Sequence, residues 1–222
     1  MNITICTGVW KRPEVFKLFA KGVKNLPYNI RVIVSGSEGV TSRRLVTSEG
    51  FEYIEKRNKP LSNKMNAATQ EAKGSDYVIC MGSDDIITPE VFALYMRYMK
   101  RGYDFIGLED LYFYDLRSGK ALYWAGYSDH RKGLTVGAGR CISSEVMESW
   151  KWKPWDDGLN KYLDSSMTAK MNLGKSKSIN LKKNGLIAVD LKSKINITPF
   201  SKWQNAEYID PEIITKKLPY LK

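Results

Sequence analysis

Two adjacent carboxylates, Asp84 and Asp85, follow the apolar run 78–81 and a short Gly82-Ser83 step. The run is typical of a buried strand, and carboxylates at its end are costly to bury unless something positive neutralises them. A hard divalent cation does so, because magnesium and manganese take one or two protein carboxylates together with substrate phosphates. Adjacent aspartates also cap helices, so the pair alone leaves a metal site and a helix cap as alternatives.

The elements around the pair alternate between strand and helix over the first hundred residues. Apolar runs and helical spacing predict strands at 2–7, 30–34, 51–54 and 76–81, and helices at 14–23, 42–48, 61–72 and 89–100. This alternation predicts βαβ units and a largely parallel sheet. Ligands bind beyond the carboxyl ends of such strands, so the candidate loops are 8–12, 35–39 and 82–88.

The second half of the chain has a different pattern, with aromatic strands and glycine-rich turns. Strands are expected within 103–114, at 122–124 and at 186–191, turns around 133–139, and helices at 143–150 and 163–171. The tail after them carries no assignable pattern. Without a repeat, a low-complexity run or a linker, residues 1–222 form one predicted domain.

The net charge of +11 is the unusual feature of the composition. Residues 151–202 hold eleven Lys and four Asp, a net +7, which favours a basic face for polyanions over an evenly charged surface. No apolar stretch approaches the roughly 18 residues of a membrane span, and no secretory signal is visible, so a cytoplasmic protein is expected. Cys6, Cys80 and Cys141 lie far apart in apolar surroundings and are predicted to be reduced core residues.

Three stretches carry a family resemblance: the opening strand and turn 3–13 with its Arg12-Pro13, the helical stretch 62–68 with Lys64, and the strand 74–85 that ends in the acidic pair. In this order they resemble the nucleotide-binding half of family-2 inverting glycosyltransferases of the GT-A fold. The resemblance implies an α/β, Rossmann-like, mostly parallel central sheet with helices on both faces and a smaller acceptor-side subdomain. It makes 1–102 the nucleotide-sugar-binding half and 103–222 the acceptor-binding half.

The resemblance also implies roles for single residues on the donor side. Asp85 is the leading ligand of Mn²⁺ or Mg²⁺, with Asp84 on the ribose or the metal shell, and the donor is a nucleotide-sugar, with a UDP-sugar favoured. Lys64 offsets the diphosphate charge, and Thr7 and Arg12 lie beside the nucleotide. Two departures stand out. Gly82 replaces the first acidic residue of the motif, and Ser35 with Glu38 stands where many members carry an acidic base contact.

Inverting transfer needs a carboxylate that deprotonates the acceptor hydroxyl. The family places it after a glycine-rich segment, here 137–140, and the resemblance favours Asp164 at a helix start, with Asp157 and Asp156 as competitors and a plain helix N-cap as the alternative for Asp164. The single histidine, His130, is a candidate late metal ligand or an ordinary surface residue.

The acceptor is the least specified part of the sequence. Trp152 and Trp155 alternate with lysines, and with Arg140 they are candidate acceptor contacts, since aromatic faces stack on sugars or bases; a hydrophobic plug is the alternative. The leading hypothesis is a small phage-type enzyme that glycosylates hydroxymethylated bases of DNA in the host cytoplasm. The alternatives are transfer to a surface polysaccharide, a lipid-linked sugar or a protein, and a non-catalytic nucleic-acid-binding module on the same fold.

Overall fold

The computed structural model describes residues 1–171, 174–196, 198–203 and 205–221. In chain order the strands are β1 (Ile3–Gly8), β2 (Arg31–Gly36), β3 (Glu52–Glu55), β4 (Tyr77–Cys80), β5 (Asp85–Ile87), β6 (Phe105–Leu108), β7 (Leu111–Asp115), β8 (Ala121–Trp124), β9 (Arg140–Ser143), β10 (Ser176–Ile179), β11 (Ala188–Lys192) and β12 (Glu207–Ile209). The helices are α1 (Pro13–Lys24), α2 (Val40–Ser48), α3 (Leu61–Glu71), α4 (Pro89–Met99), α5 (Ser144–Ser149), α6 (Leu163–Ala169) and α7 (Glu212–Thr215). No helix in these ranges is both long enough and apolar enough to cross a membrane.

The larger sheet has seven strands in the order β10-β6-β9-β4-β1-β2-β3. The pairs β4–β1, β1–β2 and β2–β3 are parallel, whereas β9 is antiparallel to both β4 and β6. Strands β1 and β4 are almost wholly buried, as expected for parallel strands covered by helices on both faces. The predicted mostly parallel central sheet is therefore confirmed.

Alternate residues of the central strands enter two different cores. Ile5 and Ile79 pack with the apolar stripes of α1 and α4, whereas Cys6 and Cys80 pack on the opposite face with Met65 of α3. This is the period-two alternation of a strand, and it places helices on both faces as predicted. All three cysteines are buried free thiols, in agreement with the expectation from the sequence.

A second sheet of five strands has the order β12-β8-β7-β11-β5. Its strand β5 begins at Asp85, inside the segment 82–88 that we expected to be a loop, and pairs antiparallel with β11. The two predicted halves therefore interleave, because β5 of the first half joins this sheet while β6, β9 and β10 of the second half join the larger one. Neither β9 nor β10 was predicted, since each is short and β10 is largely polar.

Candidate active site

A cavity of about 1160 Å³ opens where β1 and β4 end. Gly8, Val9 and Met81 line it from the larger sheet, and Phe113 and Lys192 line it from one face of the second sheet. Its volume lies slightly above the usual range for small-molecule sites, about 300–1,000 Å³. The position agrees with the rule that open α/β sheets bind ligands beyond the carboxyl ends of their strands.

The acidic loop is fixed on both sides by hydrogen bonds to neighbouring strand ends. Ser83 Oγ donates to the Gly8 carbonyl at 2.8 Å, and Leu191 N donates to the Asp84 carbonyl at 2.7 Å. The Gly82 amide donates to Asp85 Oδ2 at 2.6 Å. A Cβ on Gly82 would collide with the Asp84 carboxylate, so the glycine at the first position of the motif leaves room for this packing.

Asp84 is already held by two side chains. The Arg12 guanidinium donates to both of its carboxylate oxygens, at 2.6 and 3.2 Å, and Asn196 Nδ2 donates to Oδ2 at 2.7 Å. Arg12 and Asp84 are both largely buried, so this two-point contact neutralises the charge of Asp84 in a partly dry environment.

Asp85 and Asp190 are carboxylates placed opposite each other in the second sheet. They are register partners in the β5–β11 pair, and Asp85 is 8% exposed. Burial raises the pKa of Asp85 well above its usual range, with Asp84 and Asp190 adding to the effect. Burial likewise raises the pKa of Asp190 to about 7, although Lys192 beside it acts in the opposite direction.

These observations fit a divalent cation. Asp190 Oδ1 is buried and has no hydrogen-bond partner among the described residues, so a positive ligand would relieve its desolvation. No group of three or more His, Cys, Asp or Glu side chains in the described residues is arranged to hold a metal ion, so a site here would have fewer than three such ligands. Magnesium and manganese accept such a partial set, because phosphate oxygens and water complete their shells.

Of the three candidate bases, only Asp164 lines the cavity. Its carboxylate packs against Gly137 so closely that a Cβ at this position would overlap it. Asp156 instead accepts from Ser166 Oγ and pairs with Lys170 at 2.9 Å, and Asp157 pairs with Lys153 at 2.8 Å. The geometry thus favours Asp164 among the three, while its chemical role stays a prediction.

Lys64 lies in the interior, 1% exposed, at the cavity wall. Its ammonium donates to the Val9 carbonyl at 2.6 Å, to Asn58 Oδ1 at 3.1 Å and to Ser37 Oγ at 3.2 Å. These bonds use all three donors of a lysine. Burial lowers its pKa to about 8. Lys64 therefore ties together the loops that follow β1, β2 and β3.

The remaining donor-side candidates lie behind the cavity surface. Thr7 and Ser35 are fully buried, and Ser35 Oγ donates to the Thr7 carbonyl at 3.3 Å. Glu38 accepts from the Lys11 amide at 2.8 Å and so shapes the turn that precedes Arg12. Among the described residues, these three are not in the cavity wall, whereas Arg12, Lys64, Asp84 and Asp85 are.

The acceptor-side candidates are mostly interior residues. Trp152 and Trp155 are each 5% exposed and pack in the core under α3, although Trp155 reaches the cavity wall. Arg140 is 1% exposed and donates to the carbonyls of Thr135, Val136 and Asp164. The hydrophobic-plug alternative thus describes Trp152, and Arg140 positions the start of α6 rather than meeting a ligand.

His130 is exposed and lies outside the cavity wall. Its neighbour Asp129 forms an ion pair with Arg131 at 2.8 Å. The structure does not bring His130 together with Asp84 and Asp85.

Sequence reasoning missed one whole wall of the cavity, the face of the second sheet. Its members combine charges with aromatic rings: Leu111, Phe113, Trp124, Asp190 and Lys192, covered by Trp203 and flanked by Tyr127. The spacings 111/113 and 190/192 are the i, i+2 pattern of one strand face, which was a usable signal. The pairing of β11 with β5, which brings this face to the acidic pair, leaves no local trace in the sequence.

Several solved structures have folds similar to that of this chain. The structure superimposes on S. aureus TarS 1–349 with a TM-score of 0.59 at 9% identity, covering 100% of this chain and 64% of that one. The mannosyltransferase PcManGT from Pyrobaculum calidifontis, in complex with GDP-Man and Mn²⁺, gives a TM-score of 0.63 at 12% identity, covering 91% of this chain and 59% of that one. A CMP:2-keto-3-deoxy-manno-octonic acid synthetase complexed with CTP gives 0.53 at 12% identity, covering 81% and 90% of the two chains. These likenesses confirm the GT-A-like, Rossmann-type fold.

Comparison of the sequence itself gives a more specific result. Among curated proteins no sequence matches significantly. The family model described as Glycosyl transferase family 2 matches residues 13–136, more than half of the 222-residue chain and including the acidic pair. This match shows that the chain belongs to Glycosyl transferase family 2.

Proposed function

We propose that the chain transfers a sugar from a nucleotide-sugar donor to an acceptor hydroxyl, with inversion at the anomeric carbon. The observation that carries this proposal is one cavity that holds the Asp84–Asp85 pair and, in another part of its wall, the carboxylate of Asp164. An inverting transfer needs these two functions, a place for the leaving diphosphate and a base for the acceptor.

In the proposed reaction the acceptor hydroxyl gives its proton to the Asp164 carboxylate as its oxygen attacks the anomeric carbon. The new glycosidic C–O bond forms while the bond from that carbon to the diphosphate breaks, and the electron pair leaves with the nucleoside diphosphate. Arg140 holds the backbone of Asp164 through its Nη1 donor at 3.0 Å, and Gly137 leaves room for the carboxylate. These contacts fix the base at the start of α6.

Asp85, with Asp84 and Asp190 beside it, would hold a divalent cation, Mn²⁺ or Mg²⁺. When bound, such an ion neutralises charge on the departing diphosphate. The buried, unpartnered Asp190 Oδ1 and the raised pKa of Asp85 support this proposal. A UDP-sugar is the first donor to test, and a GDP-sugar is the second, because the similar mannosyltransferase structure contains GDP-Man with Mn²⁺.

The experiment is a panel of nucleotide-sugars incubated with the protein, with and without Mn²⁺, while release of nucleoside diphosphate is measured. We expect Mn²⁺-dependent release with at least one donor and its loss in Asp85→Ala. The matched control is Asp76→Ala, which removes an exposed aspartate next to β4 and outside the cavity. No release from any donor, with the fold intact, would favour the non-catalytic module on the same fold.

For the acceptor we propose a hydroxymethylated base in DNA, as in a phage-type modifying enzyme. The support is the net charge of +11 and the exposed cations Lys59, Lys161 and Lys202 at the cavity wall. Trp152 lends no support, because it is a core residue. A base in duplex DNA would have to be extruded to reach Asp164.

Binding to a 30-base-pair duplex, with and without 5-hydroxymethylcytosine, tests the acceptor at several salt concentrations. Affinity that falls steeply with salt, together with sugar transfer to the modified duplex only, supports the DNA acceptor. Unchanged mobility of the duplex at low salt would exclude DNA as the acceptor. A surface glycan, a lipid-linked sugar or a protein would then remain as candidate acceptors.

A further inference from the structure

Lys192 is a buried cation at the cavity wall that no motif pointed to. It ends β11, its side chain is 4% exposed, and its ammonium pairs with Asp190 Oδ2. The ammonium lies over two aromatic rings, with Nζ 4.9 Å from the centre of Phe113 and 5.4 Å from that of Trp203. Its place in the wall puts a fixed positive charge beside the acidic loop.

The hydrogen bonds of Lys192 are incomplete. A lysine ammonium has three donors, and in the part of the chain that the structure describes Nζ makes one hydrogen bond, to Asp190. A buried charge is stable only when its remaining donors also find acceptors. Little solvent reaches this side chain, so the cavity is where an acceptor for these donors can come from.

Two other cations of the cavity wall, Lys64 and Arg12, are already committed. Lys64 uses all three donors on Val9, Ser37 and Asn58, and Arg12 is bound at two points by Asp84. Lys192 differs from both, since it lies on the strand face that carries Asp190 and, across the register, Asp85. Residues at i and i+2 of a strand share a face, so the ammonium lies on the same side as these carboxylates.

We propose that Lys192 binds the diphosphate of the nucleotide-sugar donor. A divalent cation at Asp85 would offset the carboxylates, and the diphosphate would bring further negative charge that Arg12 and Lys64, already committed to other partners, do not contact. Lys192 supplies the missing donors and stabilises the diphosphate as the bond to the sugar breaks. This inference rests on the proposed function and names a donor-binding residue for it.

The test uses inorganic pyrophosphate as the probe, so the identity of the nucleotide is not needed. Calorimetry measures binding of Mn²⁺ alone, and then of pyrophosphate in the presence of Mn²⁺, to the full chain and its variants. Lys192→Met removes the charge at similar length, and Lys192→Gln is the second variant, because its amide can still donate to Asp190 if the first fails to fold. Lys194→Met is the matched control, an exposed lysine two residues further along and outside the cavity wall.

We expect Lys192→Met and Lys192→Gln to weaken pyrophosphate binding at least 10-fold while Mn²⁺ alone binds as well as in the wild type or more tightly. Lys194→Met should match the wild type in both. If either folded Lys192 variant binds pyrophosphate within twofold of the wild type, Lys192 is only the counter-ion of Asp190 and the inference is overturned. If the wild type itself binds neither Mn²⁺ nor pyrophosphate, the proposed donor site is wrong, and the proposed role of Lys192 is wrong with it.

Discussion

Asp85 and Asp190 occupy directly opposite positions in the antiparallel pair β5–β11. Like charges at such positions destabilise a sheet. Here the cost is increased by burial, which raises the pKa of both carboxyl groups. A sheet that keeps this pair sacrifices stability for it, which is the pattern of a functional site.

Asp85→Asn should therefore stabilise the metal-free protein. The amide can still accept from the Gly82 amide, but it no longer repels Asp84 and Asp190. At pH 8 we expect a gain of about 1 kcal/mol or more in the free energy of unfolding, since each pKa unit is worth about 1.4 kcal/mol. The same variant should lose the thermal stabilisation that Mn²⁺ gives the wild type. A variant that is less stable than the wild type and still responds to Mn²⁺ would contradict both parts.

Asp164→Asn should abolish most of the transfer activity. Losing a general base costs on the order of 10²- to 10⁴-fold in rate. Asp156→Asn and Asp157→Asn are the controls, because their carboxylates pair with Lys170 and Lys153 outside the cavity wall. Release of nucleoside diphosphate from the donor is the measurement, with Mn²⁺ affinity as the check on the donor site. Equal losses of activity in all three variants would show that Asp164 is not the catalytic base.

Gly137→Ala should reproduce much of that loss without touching a carboxylate. The added Cβ overlaps the Asp164 carboxylate and must push it aside. A displacement of about 1 Å in a reacting group can cost on the order of 10²-fold in rate. The rate of nucleoside diphosphate release should fall while Mn²⁺ and pyrophosphate bind as in the wild type. Full activity in Gly137→Ala would show that Asp164 does not act from its present position.

Trp152→Ala should lower the stability of the protein and leave acceptor binding unchanged. Trp152 is 5% exposed and packs with Met65, Ala68 and Met147, so its removal opens a cavity worth about 3–5 kcal/mol in the free energy of unfolding. Trp10→Ala is the control, since Trp10 is 39% exposed and should cost little stability. Denaturant unfolding measures the first effect, and duplex DNA affinity under native conditions measures the second. Weaker DNA binding by folded Trp152→Ala would restore its role as an acceptor contact.

Much of the first half of the fold was predictable because its central strands are largely apolar runs. Strands β1 and β4 are buried on both faces, so their composition alone indicates them, and the helices between them carry clear apolar stripes. Strand β5 was not predictable, because three residues after an acidic turn read as loop. Its state is decided by its partner β11, about a hundred residues further on, through contacts that no local pattern encodes.

The candidate site, like the fold, was predictable from the sequence only in part. Asp84, Asp85 and Asp164 line one cavity, as their motif positions implied, although their chemical roles stay predictions. Asp190 and Lys192 were missed, because their i, i+2 spacing indicates only a shared strand face, and it is the β5–β11 pairing that brings this face to the acidic pair. Trp152 misled for a physical reason, because alternation of aromatic and basic residues looks the same in a binding surface and in a plug whose lysines reach solvent, whereas Trp155 does reach the cavity wall.

Lys64 gives a prediction that depends on pH. Burial lowers its pKa from 10.5 to about 8, so between these values the unfolded chain binds more protons than the folded one. Stability must then rise with pH in this window, by up to about 3 kcal/mol from this residue, whereas below pH 8 the lysine is charged in both states and contributes no slope. Unfolding of wild type and Lys64→Met from pH 7.5 to 10.5 isolates the effect, because other titrating groups cancel in the difference. Lys73→Met, an exposed lysine of the turn after α3, should track the wild type. A constant difference between wild type and Lys64→Met across this range would mean that Lys64 keeps an ordinary pKa, and that its three hydrogen bonds compensate for its burial.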